Sequence, residues 1–426
     1  MLKRDIGKWD LVLLLINGII GAGIFGLPSK IFALSGFYSI LALLVCAIIV
    51  FIVVLSFAEV ASRFDKTGGP YLYTLTAFGR FPAYVIGWLM LIARLAAYAA
   101  LINLFVTYLS YFHVVFLEPY IKATTIFLLT LILMLVNIRG VKKSAILSNI
   151  LAIAKVSTLL IFIIVGLFFI NTDLIDIHQT TPSFTNFSAS VLILIFAFSG
   201  FEATLVNTGE IKNPKTNIPF ALIISIVFVA IFYSLIQIVC IGTLPGLASS
   251  DKPLTDAAQI YMGSFGGVVI TIGALISIGG TLNAIMLIGS RLPFALSEAK
   301  QFPKLFSFLH PNFQTPVNSL LAFALISILV SITGSFSYAV SISVISKVLV
   351  FLVVCVILII LRKANPKETN YFKLPYGYLI ALTGILTSIW LLSSSKLTEF
   401  RDVLITILIG IVLYGIFIIL TRRRKI

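Results

Sequence analysis

Hydrophobicity divides this chain into repeated segments. Runs without a single charge recur from end to end, among them residues 31–58, 179–201, 216–250, 257–290 and 374–395. A helix needs about 20 apolar residues to cross the ~30 Å hydrocarbon core, and in lipid it must satisfy its own backbone polar groups. The composition agrees: 60% of residues are hydrophobic and 11% charged, with a mean hydropathy of +1.14. The expectation is an all-α membrane protein. With polar and Gly/Pro-rich breaks as boundaries, twelve spans fall near residues 10–34, 38–62, 82–110, 122–139, 146–170, 187–208, 217–243, 263–291, 316–333, 336–361, 376–396 and 399–421.

A net charge of +15 would suggest nucleic acid in a soluble protein, so where the charges fall matters more than their sum. Lys3, Arg4 and Lys8 precede the first span, and Arg422, Arg423, Arg424 and Lys425 follow the last. Both termini therefore read as cytoplasmic, and with that orientation the loops carrying Arg63, Lys66 and Arg80, then Arg139, Lys142 and Lys143, then Lys212 and Lys215 lie on the same side. Arg291, Lys300 and Lys304, then Arg362, Lys363, Lys367 and Lys373, join them. The opposite face keeps Lys30, Lys122, Lys252, Lys396 and Arg401, with Asp173 and Asp176 in its longest loop. This is the positive-inside pattern, so the basic charge reads as topology in a bacterial-type inner membrane and not as nucleic-acid binding.

Several chemistries find no support. The first apolar stretch is too long for a secretory leader and ends in a glycine cluster and a proline, so it is expected to remain as a span. Cys46, Cys240 and Cys355 are isolated within apolar spans and offer neither disulfide nor metal spacing. His113, His178 and His310 are scattered in loops, and no P-loop lysine motif or paired carboxylates with a nucleophile occur. The sequence reads as a non-enzyme without cofactor or metal.

One motif needs separate treatment. Gly21-Ala22-Gly23-Ile24-Phe25-Gly26 spells G-x-G-x-x-G, the dinucleotide fingerprint when it links a strand to a helix. Here WDLVLLLINGII precedes it, IFGLPSKIFAL follows, and no acidic residue appears until Glu59, so the nucleotide reading fails. The glycines then serve either close helix packing or unwinding at mid-depth. The sixth span favours unwinding, because Ser199-Gly200 interrupts it and Glu202 follows inside the apolar stretch. Spans 1 and 6 correspond if the first ten form two repeats of five, and paired interruptions in matching helices point to a transporter substrate site. A helix opened in hydrocarbon exposes N–H groups at the start of one half and carbonyls at the end of the other. The first set suits a carboxylate and the second an ammonium, so an α-amino acid answers both.

These residues resemble the amino acid/polyamine/organocation superfamily of amino acid permeases. The resemblance is carried by Ile20 to Pro28 in span 1, Gly68-Gly69-Pro70-Tyr71 after span 2 and Phe198-Ser199-Gly200-Phe201-Glu202 in span 6. Gly209-Glu210-Ile211-Lys212-Asn213-Pro214 before span 7, read as a hinge or gate, and the stretch from Ser290-Arg291-Leu292-Pro293 to Thr315-Pro316 complete it. It implies a single domain over 1–426 with a LeuT-like 5+5 inverted repeat, the first repeat at 9–170 and the second at 187–361, helices 1 and 6 broken, and two additional helices at 376–421. It also implies alternating access by a bundle of spans 1, 2, 6 and 7 rocking against a scaffold. Carried onto this chain, the amides of Ala22 and Gly23 would hold the substrate carboxylate, with Ile19 and Gly21 nearby. The carbonyls of Phe196, Ala197 and Ser199, beside Gly200, would take the ammonium, and the Phe196 ring would act as a gate.

Charges inside the spans complete the reading. Lys155 lies in the middle of span 5, where an ammonium is costly to keep and should face the protein interior. It is read either as a tie between helices or as a proton carrier. The resemblance implies that it stands where sodium-coupled relatives bind their cation, bonded to carbonyls of broken span 1. Arg94, Lys347 and Glu202 are read as structural intramembrane charges, and Tyr98 and Asn283 as pocket or helix-to-helix residues. Spans 3, 8 and 10 supply no carboxylate, which favours a neutral substrate. The sequence therefore predicts a secondary amino acid transporter working by proton-coupled symport, with amino acid or polyamine exchange and ligand sensing as alternatives. Its partners are the small-molecule substrate, protons and the lipid bilayer.

Overall fold

The computed structural model describes residues 6–64, 68–139, 144–175, 181–204, 211–364 and 371–423. Gly209 and Glu210 of the expected gate lie outside the described residues, as do the charge-pattern residues Lys3, Arg4, Lys66, Lys142, Lys143, Asp176, Lys367, Arg424 and Lys425, and His178.

Among the described residues the fold is all helix, with one isolated parallel bridge between Ile6 and Ile211 and no strand. The first apolar segment is split into α1 (Lys8–Ile19) and α2 (Gly23–Ser35), followed by α3 (Ser39–Ser62), α4 (Gly69–Phe78) and α5 (Arg80–Leu109). Then come α6 (Pro119–Ile138), α7 (Ser144–Leu167), α8 (Phe184–Phe198), the short α9 (Phe201–Thr204) and α10 (Pro214–Thr243). The chain continues through α11 (Pro253–Glu298), α12 (Val317–Thr333), α13 (Phe336–Ala364), α14 (Gly377–Ser393) and α15 (Leu397–Arg423). Starts are set by local chemistry. Pro119, Pro214 and Pro253 open their helices at a position whose N–H has no intrahelical partner, and Ser183 caps α8 by accepting from the Asn186 amide at 3.2 Å.

Seven of the described helical stretches are long and apolar enough to cross a membrane, the first running from Gly23 to Ser62. Lys155–Leu167, Phe184–Phe198, Val317–Thr333 and Gly377–Ser393 are shorter apolar helices. Their outer faces remain apolar, with Leu329, Leu379, Leu408 and Val412 all exposed. A surface of this kind is stable against lipid and not against water. Two helices go beyond the sequence expectation. Residues 69–78 form α4, and α11 begins ten residues before the expected span at 263, with its axis broken at Gly263, where φ is +65°.

Two compact units emerge. The first comprises Met1–Ala83, Leu159–Ile270 and Val348–Ser395, and the second Tyr84–Thr158, Thr271–Lys347 and Lys396–Ile426. In the first unit α3 packs against α8, α10 and α14, α1 against α10, and α2 against α8. In the second, α6 packs on α12, and Tyr84 and Trp88 of α5 donate to the Gly410 and Thr406 carbonyls of α15 at 3.0 and 2.7 Å.

Candidate functional site

The first interruption lies at residues 20–22. Ile20 leaves the helical region with ψ +79°, although its amide still donates to Ile16 at 2.7 Å, and the Gly21 amide turns back to the Ile19 carbonyl at 2.6 Å. Helix α2 then starts at Gly23 with no side-chain cap. Among the described residues none accepts a hydrogen bond from the Ala22 or Gly23 amide, and both residues are buried. Buried N–H groups at a helix start, with the dipole behind them, form an anion-binding arrangement.

The second interruption lies at Ser199 and Gly200. Ser199 is extended, with φ −78° and ψ +156°, and its hydroxyl donates back to the Ile195 carbonyl. Gly200 has φ +128°, and a Cβ there would stand 2.2 Å from the Gly18 carbonyl oxygen. Only glycine meets both conditions, which is why the break falls at this residue. The two breaks are in contact: a Cβ on Gly23 would lie 3.0 Å from the Phe196 ring and 3.3 Å from the Ala197 Cα. Ile19, Gly21, Ala22, Gly23, Phe196, Ala197, Ser199 and Gly200 thus belong to one place in the first unit.

Glu202 is buried, and its carboxylate accepts from the Gly200 amide at 2.8 Å. It therefore brings its own negative charge to the second break, while the first has no acidic side chain in the opening turn of α2. The two helix starts are not electrostatically equivalent, and the first is the one suited to an external carboxylate.

Sequence reading passed over Tyr233. Its fully buried hydroxyl lies 3.0 Å from the Ile19 carbonyl and 3.2 Å from the Ala197 carbonyl, the ends of α1 and α8. A single O–H proton is shared between two opened helices. On the same face of α10, Ser225 donates to the Val12 carbonyl at 3.2 Å, and Gln237 donates to the Pro28 carbonyl at 3.3 Å and to Ser39 at 3.0 Å. Ser225, Tyr233 and Gln237 fall at multiples of four residues, one helix face. That polar stripe within an apolar helix was the signal available.

Lys155, Arg94 and Lys347 are all buried and belong to the second unit. Tyr98 and Asn283 take the helix-to-helix role: the Tyr98 hydroxyl donates to Thr130 at 3.1 Å, and the Asn283 side-chain oxygen accepts from Asn137 at 2.8 Å. In the first unit, a buried ionic network centres on Glu59, a residue the sequence reading left without a role. Arg362 donates to both its carboxylate oxygens, Arg63 donates at 3.0 Å and the Leu374 amide at 2.9 Å. Arg63 and Arg362 are therefore more than topology charges, because they join the end of α3 to the end of α13 and to the segment before α14.

Comparison with known proteins agrees with this architecture. The serine/threonine exchanger SteT of Bacillus subtilis is 28% identical over 440 aligned positions, covering 100% of this chain and 98% of the relative. The branched-chain amino acid permease BcaP of the same organism is 28% identical, covering 98% of this chain and 93% of the relative. Its methylthioribose transporter is 26% identical, covering 98% and 94%. The family model for amino acid permeases matches residues 6–420, so the chain belongs to the amino acid permease family, whose members are transporters and not enzymes.

Proposed function

We propose that this chain is a secondary transporter that carries a neutral α-amino acid across the bacterial inner membrane, with uptake coupled to protons. In this reading the chain crosses twelve times with both termini cytoplasmic, and its first ten spans form the 5+5 inverted repeat of a LeuT-like fold. The substrate carboxylate binds the Ala22 and Gly23 amides, the ammonium binds carbonyls at the end of α8, and Phe196 closes over the ligand. The observation that carries the reading is the uncapped, buried start of α2 placed against Phe196 and Ala197. A carboxylate gains hydrogen bonds and dipole there that a neutral group does not.

Exchange is a second reading, favoured by the resemblance to SteT along the whole chain. The methylthioribose transporter shows why ligand chemistry has to be tested directly, because that relative's name describes a substrate that is not an amino acid.

Backbone donors cannot be removed by changing side chains, so the ligand has to be altered instead. In liposomes holding the purified protein, counterflow of a radiolabelled neutral amino acid should be inhibited by the unlabelled amino acid. Its methyl ester and its N-acetyl derivative should each compete about 10- to 100-fold more weakly, the equivalent of one lost charged hydrogen-bond set. An ester that competes as well as the free acid would remove the carboxylate from this site. Running the assay with and without an imposed proton gradient, and with and without internal substrate, separates symport from exchange.

A further inference from the structure

A cavity of about 590 Å³ lies wholly within the second unit, and none of the residues assigned above to the substrate lines it. Its walls come from α5, the end of α11 and the segment after it, α12, α13 and α15, with Leu95, Phe302, Phe323, Val330, Ile342 and Ile409 among them. Along α12 the lining runs from Ala322 to Thr333, with Gly334 just past its end, and along α15 from Asp402 to Leu413. At ~1.5 Å per residue the latter is about 17 Å, close to one leaflet of a ~30 Å hydrocarbon core. The side is open, since Ile326, Ile409 and Leu413 remain exposed. An apolar cleft of this kind does not hold water.

Its polarity is confined to one end. The Phe306 carbonyl, bonded to Ser319, marks the start of α12, and Thr333, Tyr338 and Asp402 line the cavity at the other end of that helix. There the Tyr338 hydroxyl donates to Asp402 at 2.7 Å, and the Arg401 guanidinium donates to the same carboxylate at 2.9 and 3.1 Å. Arg401 is 63% exposed and Asp402 29%. The carboxylate keeps acceptor capacity beyond these bonds, and the guanidinium keeps donors directed at solvent. Asp402 is also near the beginning of α15, about 8 Å along the helix from Leu397.

We infer that this cleft is a binding site for a phospholipid with a primary-amine headgroup. One acyl chain fills the apolar cleft, the phosphate meets Arg401 and the ammonium meets Asp402. A phospholipid with a glycerol headgroup supplies the phosphate and neutral hydroxyls but no positive charge for the carboxylate, so headgroup identity distinguishes the ion pairing from simple chain packing.

The test uses the full chain, purified in detergent, stripped of lipid and examined by native mass spectrometry. Phosphatidylethanolamine or phosphatidylglycerol with identical acyl chains is then added back. The amine lipid should be retained about fivefold over the glycerol lipid, the size of one partly exposed ion pair. Asp402→Asn, an isosteric change at a partly exposed position, should bring the two within about twofold of each other. Val330→Trp should displace both lipids by filling the cleft, and Ala339→Leu serves if the larger variant does not keep its thermal midpoint. Equal retention of the two lipids by the unaltered protein, or a preference untouched by Asp402→Asn, overturns the inference. So does a cleft-filling variant that keeps its lipid and shifts the monomer–dimer ratio instead, because the cleft would then receive a second copy of the chain.

Discussion

Tyr233 shows how much one hydroxyl can hold when the backbone around it has been opened. The Ile19 and Ala197 carbonyls lie at the two breaks, where the first also accepts from the Gly21 amide at 2.6 Å, and the phenol at 3.0 and 3.2 Å is positioned to meet both. Tyr233→Phe keeps the ring, including its edge contact with Phe198 at 5.5 Å, and removes only the donor. Leaving buried carbonyls without it should cost about 1–3 kcal/mol. The expected result is a lower thermal midpoint in detergent and a weaker half-saturation concentration in counterflow; a variant unchanged in both would show that the hydroxyl is dispensable. Much of this site was legible in the sequence, because glycine pairs inside apolar spans have few uses. Gly21, Gly23 and Gly200 could be picked out for that reason. Tyr233 was not, because a tyrosine in an apolar helix reads as packing until its hydroxyl is seen between two carbonyls. Glu202 was recognised as an intramembrane acid, but its bond to the Gly200 amide two residues away depends on the extended turn at Ser199.

At the level of elements, hydrophobic length located most of the helices, and the exceptions have local causes. Pro253 to Met262 follows Asp251 and Lys252 and contains Asp256, so it reads as a polar loop, yet Pro253 and Asp256 are also helix-start residues and a helix forms. Gly69 and Pro70 likewise suggest a turn, but proline in the first turn is compatible with α4. Of the Glu59 network, only the Glu59–Arg63 pair has sequence-local spacing, four residues apart, whereas Glu59 and Arg362 are 303 residues apart and nothing local pairs them. Its consequence is testable. Glu59 is fully buried with two guanidinium groups beside it, and neutralising the acid leaves their charge uncompensated. Glu59→Gln should destabilise the folded protein by about 3–5 kcal/mol, the usual cost of breaking a buried pair. A double-mutant cycle with Arg362→Gln, followed by thermal unfolding in detergent, should give non-additive effects. Additive losses would mean that the two groups stabilise the fold independently.

For the whole molecule, accumulation of a solute needs a driving force, and Lys155 is the residue through which we propose that force acts. It is buried within α7. A proton taken up at one place can power movement of a solute at another only if protonation changes the relative stability of the transporter's states. Lys155→Ala removes that dependence without adding bulk. In liposomes with an imposed proton gradient, the unaltered protein should concentrate its substrate, while Lys155→Ala should bring the inside-to-outside ratio to about one, the value for an uncoupled carrier. Counterflow, which needs no gradient, should persist in the variant and would show that it still reaches the membrane folded and binds substrate. Gradient-driven accumulation that survives in Lys155→Ala would move proton coupling to another residue. If the unaltered protein shows no response to the gradient but depends strictly on internal substrate, exchange replaces symport, and the lysine's role becomes one of holding helices together.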